Sequence, residues 1–398
     1  MAEGTQKAGR LPRNVLALGL VSLFNDASSE IVYPLLPLFL TATLGVGVPM
    51  IGLIEGVTES ISSLLKLPAG WFSDRLGKRK GLVLWGYLLA SLIRPLLALT
   101  TSAWQVWGLR FIDRIGKGLR GAPRDALIAD SIGVESRGLA FGFHRAMDHL
   151  GAILGSLASM GLVVLFAGNY RLIFLAAGIP SLFAILILVF GVREGRREAA
   201  PAATWGSEVR RASFDRNFKT YLAVLLLFTL GNSSDAFLLL RARQSGIPAV
   251  MIPALWAALH LSKAAISVLG GGLSDRWGRK RPIILGWIIY AAIYGGFAYA
   301  AQPWQFWTLF IVYGCYFGLT EGIEKAFVAD LVKVEQRGTA YGFYNFMIGI
   351  GALPASLATG LIWSRYGASV ALGMGATLSL AASLLLATLV RESARRSS

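Results

Sequence analysis

Residues 110–125, RFIDRIGKGLRGAPRD, place five basic side chains (Arg110, Arg114, Lys117, Arg120, Arg124) and two acidic ones (Asp113, Asp125) in sixteen positions between long apolar runs. Successive residues turn by about 100° on a helix, so the five cations fall within roughly 120°, and Asp113 joins them. A loop has no reason to keep that register. Such a face could bind an anion, pair with carboxylates or line a water-filled path. The stretch also contains Gly116-Lys-Gly118-Leu-Arg-Gly121, formally G-x-G-x-x-G. Nothing before it reads as the β-strand that a nucleotide-binding turn requires, so the match is one of letters only.

Other apolar runs carry ionisable residues at helical spacing. Asp26 and Glu30, after Asn25, lie one turn apart, and Glu55, Glu59, Ser62 and Lys66 follow i, i+4, i+7, i+11. His144, Asp148, Gly151 and Gly155 do the same. Asn232-Ser-Ser-Asp235 is the later counterpart of Ser28-Ser-Glu30. An ionisable group at membrane depth costs on the order of 2.5–3.5 kcal/mol, so these residues should face protein or water, not lipid. At about 1.5 Å per residue, Asp26 and Glu30 reach the depth of Arg110, Arg114 and Lys117, which predicts ion pairs between the two groups. A carboxylate that gains and loses a cationic neighbour can gain and lose a proton, which makes Asp26, Glu30, Asp113 and Asp235 the candidate proton carriers. The alternative is a permanent buried pair that ties two helices together. Asn25, Glu55, Glu59, Arg110, Arg114, Lys117, His144, Asp148 and Asn232 are the candidates for a substrate cavity. Arg120 and Arg124 lie deeper and match Glu321 and Glu324, predicting salt bridges that close an inner gate. His144 and His149 do not share a helix face and belong to no dense cluster of metal-ligand type, so no metal site is expected. His260 and Lys263 read equally as functional groups or as structural partners of glutamates.

The elements that must carry these residues follow from composition. The chain has 398 residues, 55% hydrophobic and 15% charged, too apolar for a soluble domain of this length. Runs near twenty residues long, enough to cross a hydrocarbon core, occupy 15–40, 50–72, 81–99, 139–167, 172–192, 221–240, 251–273, 283–301, 304–331, 340–363 and 368–390. The net charge of +16 suggests nucleic acid, but its placement does not. Basic residues crowd alternate connections: Lys7, Arg10 and Arg13; Lys78, Arg79 and Lys80; 193–219; Arg279, Lys280 and Arg281; Arg391, Arg395 and Arg396. The connections between, such as 41–48, 101–103 and 302–303, carry none. That is the positive-inside pattern, and it predicts an inner-membrane protein with both termini cytoplasmic, set in a bilayer. The first apolar run holds Asp26 and Glu30, so it reads as a retained span and not as a signal peptide. A single cysteine, Cys315, excludes an internal disulfide and reads as a packing residue.

The chain repeats itself at an offset of about 200 residues. GWFSDRLGKRK at 70–80 matches GGLSDRWGRKR at 271–281, Trp104-Gln-Val-Trp107 matches Trp304-Gln-Phe-Trp307, and Ala129-Asp130 matches Ala329-Asp330. Glu135-Ser-Arg-Gly138 matches Glu335-Gln-Arg-Gly338, and Ala140-Phe-Gly-Phe143 matches Ala340-Tyr-Gly-Phe343. The charged stretch then aligns with apolar 310–325, so 104–131 is itself a span, the fourth. The expected architecture is an all-α polytopic membrane protein. Its twelve transmembrane helices form two pseudo-symmetric six-helix bundles, 1–192 and 220–398, joined by a cytoplasmic linker at 193–219.

Two like-oriented six-span halves, each with a Gly-x-x-x-Asp-Arg-x-Gly loop after its second span, resemble the major facilitator superfamily of secondary transporters. The resemblance covers essentially the whole chain. It implies alternating access between the halves, with the site near the midplane and spans 1, 4, 7 and 10 lining it. It also implies a latch in which Gly70, Asp74, Arg75, Gly77, Lys78 and Asp130, repeated as Gly271, Asp275, Arg276, Gly278, Arg279 and Asp330, hold the halves together in the outward-open state. The bland reading of these residues is solvated, orientation-setting charge. Arg110 stands where the superfamily often has an arginine in Arg-x-x-Gln-Gly, but Asp113 and Arg114 replace the last two. Similar loops are frequent among drug–proton antiporters of the superfamily, which favours export. The expectation is a monomeric, proton-coupled carrier of a small polar solute with an anionic group, needing no cofactor. A divalent-metal or metal-chelate transporter is the runner-up. A membrane enzyme or a non-transporting sensor is the reading from another class.

Overall fold

The computed structural model describes residues 11–76, 79–132, 137–194, 214–333 and 336–392. Among these, all regular structure is helical. Eleven helical rods are long and apolar enough to span a membrane. They are α1 (Arg13–Thr43), α2 (Val48–Leu76), α3 (Lys80–Leu99), α5 (Arg137–Leu165), α6 (Tyr170–Gly191), α7 (Arg216–Gln244), α8 (Ile252–Trp277), α9 (Lys280–Tyr299), α10 (Pro303–Leu331), α11 (Arg337–Tyr366) and α12 (Ala368–Leu389). The twelfth, α4, is Ala103–Asp130, an unbroken helix set apart from the other eleven by its charges. It sits between α2 and α3. A Cβ on Gly116 would meet the Gly86 carbonyl oxygen of α3 at 2.7 Å, and one on Gly118 would meet Leu65 of α2 at 2.6 Å. The glycines of the formal G-x-G are therefore contact points that let three helices close on a polar face.

Local signals explain the repeat. Gln105 and Gln305 accept from the backbone N–H of Ser102 and Gln302 at 3.3 and 2.9 Å, capping the starts of α4 and α10. The rods are interrupted where the sequence carries breakers, most clearly in α1 and α7. In α1 a 3-10 turn at Tyr33–Leu35 holds Pro34. In α7 the helix stops at Gly231 and resumes at Ala236, leaving Asn232 to Asp235 outside regular helix. Helix α7 starts earlier than expected. Asp215 accepts the Phe218 N–H at 2.8 Å and caps a helix from Arg216, so the last residues assigned to the linker form its first turn. Most of the expected linker, 195–213, lies outside the described residues.

Each half is closed by the same clamp. Asn14, at the start of α1, donates to the Arg193 carbonyl at 3.0 Å and accepts the Arg193 N–H at 2.9 Å. Asn217, at the start of α7, treats Arg391 identically, at 2.8 Å both ways. The next residue caps the third helix of its bundle: Glu194 accepts from Arg79 and Lys80, and Glu392 from Arg279 and Lys280. Lys80 and Lys280 return bonds to the Val189 and Ala387 carbonyls at 2.9 and 2.7 Å. The clamp ties the first, third and sixth helices of each half into one body at the basic end. Asn217→Ala removes two hydrogen bonds and is expected to cost about 1–3 kcal/mol. Thermal unfolding in detergent reads this directly, and an unchanged melting point would assign the clamp no weight.

The halves meet along α2 against α11 and α5 against α8. One apolar core passes between them away from the basic end, linking Ile31, Leu36, Phe39, Ile51 and Ile54 to Leu225, Phe237, Leu239 and Trp256. At the basic end the first half keeps a small separate core of Val15, Leu18, Val83, Tyr87, Leu127 and Leu188. The halves are thus sealed at the end opposite the termini and part toward the basic end.

Candidate functional site

The cleft between the halves is lined by charge. Glu59 and Lys66 of α2, Lys117 of α4, Arg145 of α5 and Lys325 of α10 are all exposed although they lie within helices. Glu59 faces Lys117, Lys66 and Arg114. Deeper, where the cleft ends, Glu55 is the hub. Its Oε1 lies 3.3 Å from Arg110 Nη2, and its Oε2 accepts from Ser234 Oγ at 3.3 Å. One carboxylate therefore joins α2, α4 and the break in α7, and so both halves. Asp113 Oδ2 lies 3.8 Å from both Arg110 and Arg114. Arg110 also lies over the Tyr33 ring, 6.0 Å from its centroid. Arg110 Nε, Arg114 Nε and Asp113 Oδ1 are buried without hydrogen-bond partners. Lys117 makes no hydrogen bond or ion pair among the described residues. Buried polar groups are ordinarily satisfied, so this is bonding capacity left open at the end of the cleft.

Several expected partnerships are replaced by others. Asp26 and Glu30 do not pair with Arg110, Arg114 or Lys117. Asp26 accepts from Asn25 Nδ2 at 2.8 Å, and Glu30 accepts from Trp256 Nε1 at 2.6 Å. The reason is direction: similar depth did not require that α1 and α4 turn those faces toward each other, and Glu55 of α2 stands nearer Arg110. The expected gate is also rearranged. Arg120 turns to α3, donating to the Gly86 carbonyl at 3.2 Å with its guanidinium 4.5 Å from the Tyr87 centroid, and Arg124 pairs with Asp125 at 2.9 Å. Glu324 is buried within the second half, accepting from Trp287 Nε1 at 2.8 Å and Tyr344 Oη at 2.7 Å. A salt bridge that does cross the halves is Arg145 to Glu321, 3.5 Å, with Lys263 at 2.9 Å on the other glutamate oxygen. The face of α5 assigned to the cavity packs on α1 instead. Asp148 accepts from Ser22 and lies 3.5 Å from His144 Nδ1, while Gly151 and Gly155 abut the backbone at Leu23 and Ala27. Two glycines one turn apart allow that close approach and decide which face is buried.

In the second half the α7 break is held by tyrosines. Tyr313 donates to Asp235 at 2.7 Å, Tyr290 to Asn232 Oδ1 at 3.1 Å, and Tyr294 to the Ser233 carbonyl at 3.0 Å. The latch is visible in part. Gly77 and Lys78 lie outside the described residues, as do the side chains of Asp74, Arg75, Asp275 and Arg276, while Gly70 and Gly271 lie within α2 and α8. Asp130 pairs with Arg79 and Asp330 with Arg279. Arg79, the residue after Lys78, thus stands to Asp130 as Arg279 stands to Asp330. Helix α2 ends at Leu76 before α3 begins at Lys80, whereas α8 runs to Trp277 before α9 begins at Lys280. Gly278 takes φ +83°, and a Cβ there would meet Glu392 at 2.7 Å, so a glycine is needed where the clamp meets the loop.

Sequence reasoning passed over Arg94. It is buried in α3 and grips Asn25 through the backbone carbonyl and the side-chain oxygen, both at 2.9 Å. A lone arginine inside an apolar span was the available signal. It also passed over the clamp, although Arg-Asn opens and Val-Arg-Glu closes each half (13–14 and 192–194, 216–217 and 390–392).

Two helical bundles parted by a cleft that ends in buried charge define a membrane transporter of the two-half kind. The chain belongs to the Major Facilitator Superfamily, whose description matches residues 18–355. It is accordingly a transporter and not an enzyme. It is 35% identical over 382 residues to MJ1317, an uncharacterized MFS-type transporter of Methanocaldococcus jannaschii, covering 94% of each chain. It is 23% identical over 337 residues to the multidrug resistance protein MdtH of Salmonella arizonae, covering 81% of this chain and 79% of that one. Among solved structures it is similar in fold to an auto-inhibited POT family peptide transporter (TM-score 0.82, 14% identity, 97% and 99% coverage) and to the nucleoside transporter NupG (TM-score 0.73, 14% identity, 94% and 98% coverage).

Proposed function

We propose that this protein is a proton-coupled secondary active transporter of the inner membrane, with cytoplasmic termini, that exports a small polar solute bearing an anionic group. The observation that carries the anionic reading is the open bonding capacity at the end of the cleft: Arg110 Nε and Arg114 Nε lack acceptors, and Lys117 stands exposed beside them. A carboxylate or phosphate-like group would satisfy planar, cationic donors of this kind. Export is supported by the relatives named as multidrug resistance proteins. Proton coupling is supported by Glu30, Glu55 and Asp235, three carboxylates at the junction of the halves, two of them bonded across it, with Asp26 one turn from Glu30 on α1.

A matched series tests the reading. Purified protein is heated with benzoate, benzamide, benzylammonium or Mn²⁺. Benzoate is expected to raise the melting temperature by a few degrees, roughly what a ligand at 100 times its Kd supplies. Lys117→Gln should reduce that shift and leave the unliganded melting point in place. Stabilisation by Mn²⁺ alone would overturn the anionic reading. In proteoliposomes loaded with a pH-sensitive dye, the stabilising anion should move in exchange for protons, and anion flux without a pH change would remove the coupling.

A further inference from the structure

We infer that Glu30 of α1 and His260 of α8 share one proton across the seam between the halves, and that this proton sets whether the end opposite the termini is closed. The two groups face each other from different halves, with His260 Nε2 4.0 Å from Glu30 Oε2. That same oxygen accepts the Trp256 indole N–H at 2.6 Å. Trp256 and His260 stand one turn apart on α8 with rings edge-on at 5.2 Å, and Tyr33 packs on the other side of the indole at 5.2 Å. Both ring nitrogens of His260 are buried without partners. An imidazole with two unspent nitrogens beside a carboxylate has room for a proton and no other local use for it.

The surrounding charges do not dispose of the pair. Glu30 faces Asp26, Lys117 and Arg114, and His260 faces Lys263, His149 and Glu321. An ionised glutamate beside a neutral imidazole buries a net charge in the seam, whereas one proton on either partner makes the pair neutral overall. Parting of the halves at that end would break the Trp256 bond and give the carboxylate to water, where it ionises freely. The proton therefore favours the closed end seen here. Equilibrium linkage of one proton can move the populations by at most about tenfold per pH unit. This inference rests on the proton coupling proposed above.

The test uses the full chain in lipid nanodiscs, with Cys315→Ser as background and spin labels at Thr43→Cys and Gln244→Cys, both exposed at the end opposite the termini. Label distances are measured across roughly pH 5.5–8.5, the range in which a histidine–carboxylate pair titrates. The expected result is a short-distance population that grows on acidification in the parent and becomes flat with pH in Glu30→Gln and in His260→Asn. Glu30→Gln keeps an acceptor for Trp256, so its loss of response would not come from a broken hydrogen bond. If the parent responds and both variants keep its midpoint and slope, the shared proton is overturned while coupling stands. A flat response in Glu30→Gln alone overturns the sharing and leaves the proton on the glutamate. A flat parent defeats the coupling and the inference together.

Discussion

Arg110→Ala is expected to abolish transport and to destabilise the protein by about 3–5 kcal/mol, the cost of leaving a buried charge without its partner. Arg110 is 5% exposed and Glu55 6%, so water cannot replace the guanidinium once it is gone. Glu55 would keep only the hydroxyl of Ser234 at 3.3 Å. Asp113 would lose one of its two arginine neighbours at 3.8 Å and lean on Arg114. Stability alone does not separate a scaffold from a transport site, so the informative variant is the double one. Glu55→Leu with Arg110→Met removes both charges together and, by the general behaviour of buried pairs, should restore most of the melting temperature. It should not restore flux, because the anion-facing donor and the tie to α7 are both lost. Arg110→Lys keeps the charge but not the fork that reaches Glu55 and Asp113, and it should fall between the two. Flux regained by the double variant would reduce the pair to a structural tie.

Gly52→Val is expected to act on conformation instead. The α2–α11 seam is built on glycine contacts along α2 from Val48 to Leu64. A Cβ on Gly360 would meet the Val48 carbonyl at 3.0 Å, one on Gly56 would meet Leu353 Cα at 3.0 Å, and one on Gly349 would meet Leu64 at 2.9 Å. At Gly52 the obstacle is the Ser356 carbonyl, which is backbone and cannot swing aside. Forcing a branched side chain into that contact costs about 1–3 kcal/mol if the seam stays shut, and opening it avoids the cost. Each 1.4 kcal/mol is about a factor of ten in population. The Thr43–Gln244 label distance should therefore lengthen, transport should fall by about tenfold or more, and thermal stability should change little. A large loss of melting temperature at unchanged distance would mean that the seam is rigid scaffold, not a moving contact. Gly56→Val makes a second test at the same interface.

The charged stretch at 110–125 shows how far periodicity reaches. Its place as a span, with cations on one face, was legible because a 200-residue repeat aligned it with apolar sequence. Its partners were not. A helix period tells which residues share a face but not which neighbour that face meets, so Arg110 was assigned to α1 and found on α2. Arg120 and Arg124 share the arc with Arg110, yet Arg120 turns to Tyr87 because α3 closes on α4 through Gly86 and Gly116. The pairing of Arg79 with Asp130 has the same origin. Matching loop letters aligned the motif, while the helix ends set which arginine reaches the aspartate.

The class of protein is already written in one dimension: hydrophobic run length set eleven spans, internal similarity added the twelfth and paired the halves, and the burden of intramembrane charge marked where function lies. Those quantities are local, or repeat along one chain, so one dimension holds them. The folded molecule was needed to show that Glu55 joins the halves through Arg110 and Ser234, that Glu30 meets Trp256 and His260 across the seam, and that the halves part toward the basic end. These depend on the rotation of each helix about its own axis, and that rotation is set by glycine contacts and buried hydrogen bonds between residues far apart in sequence.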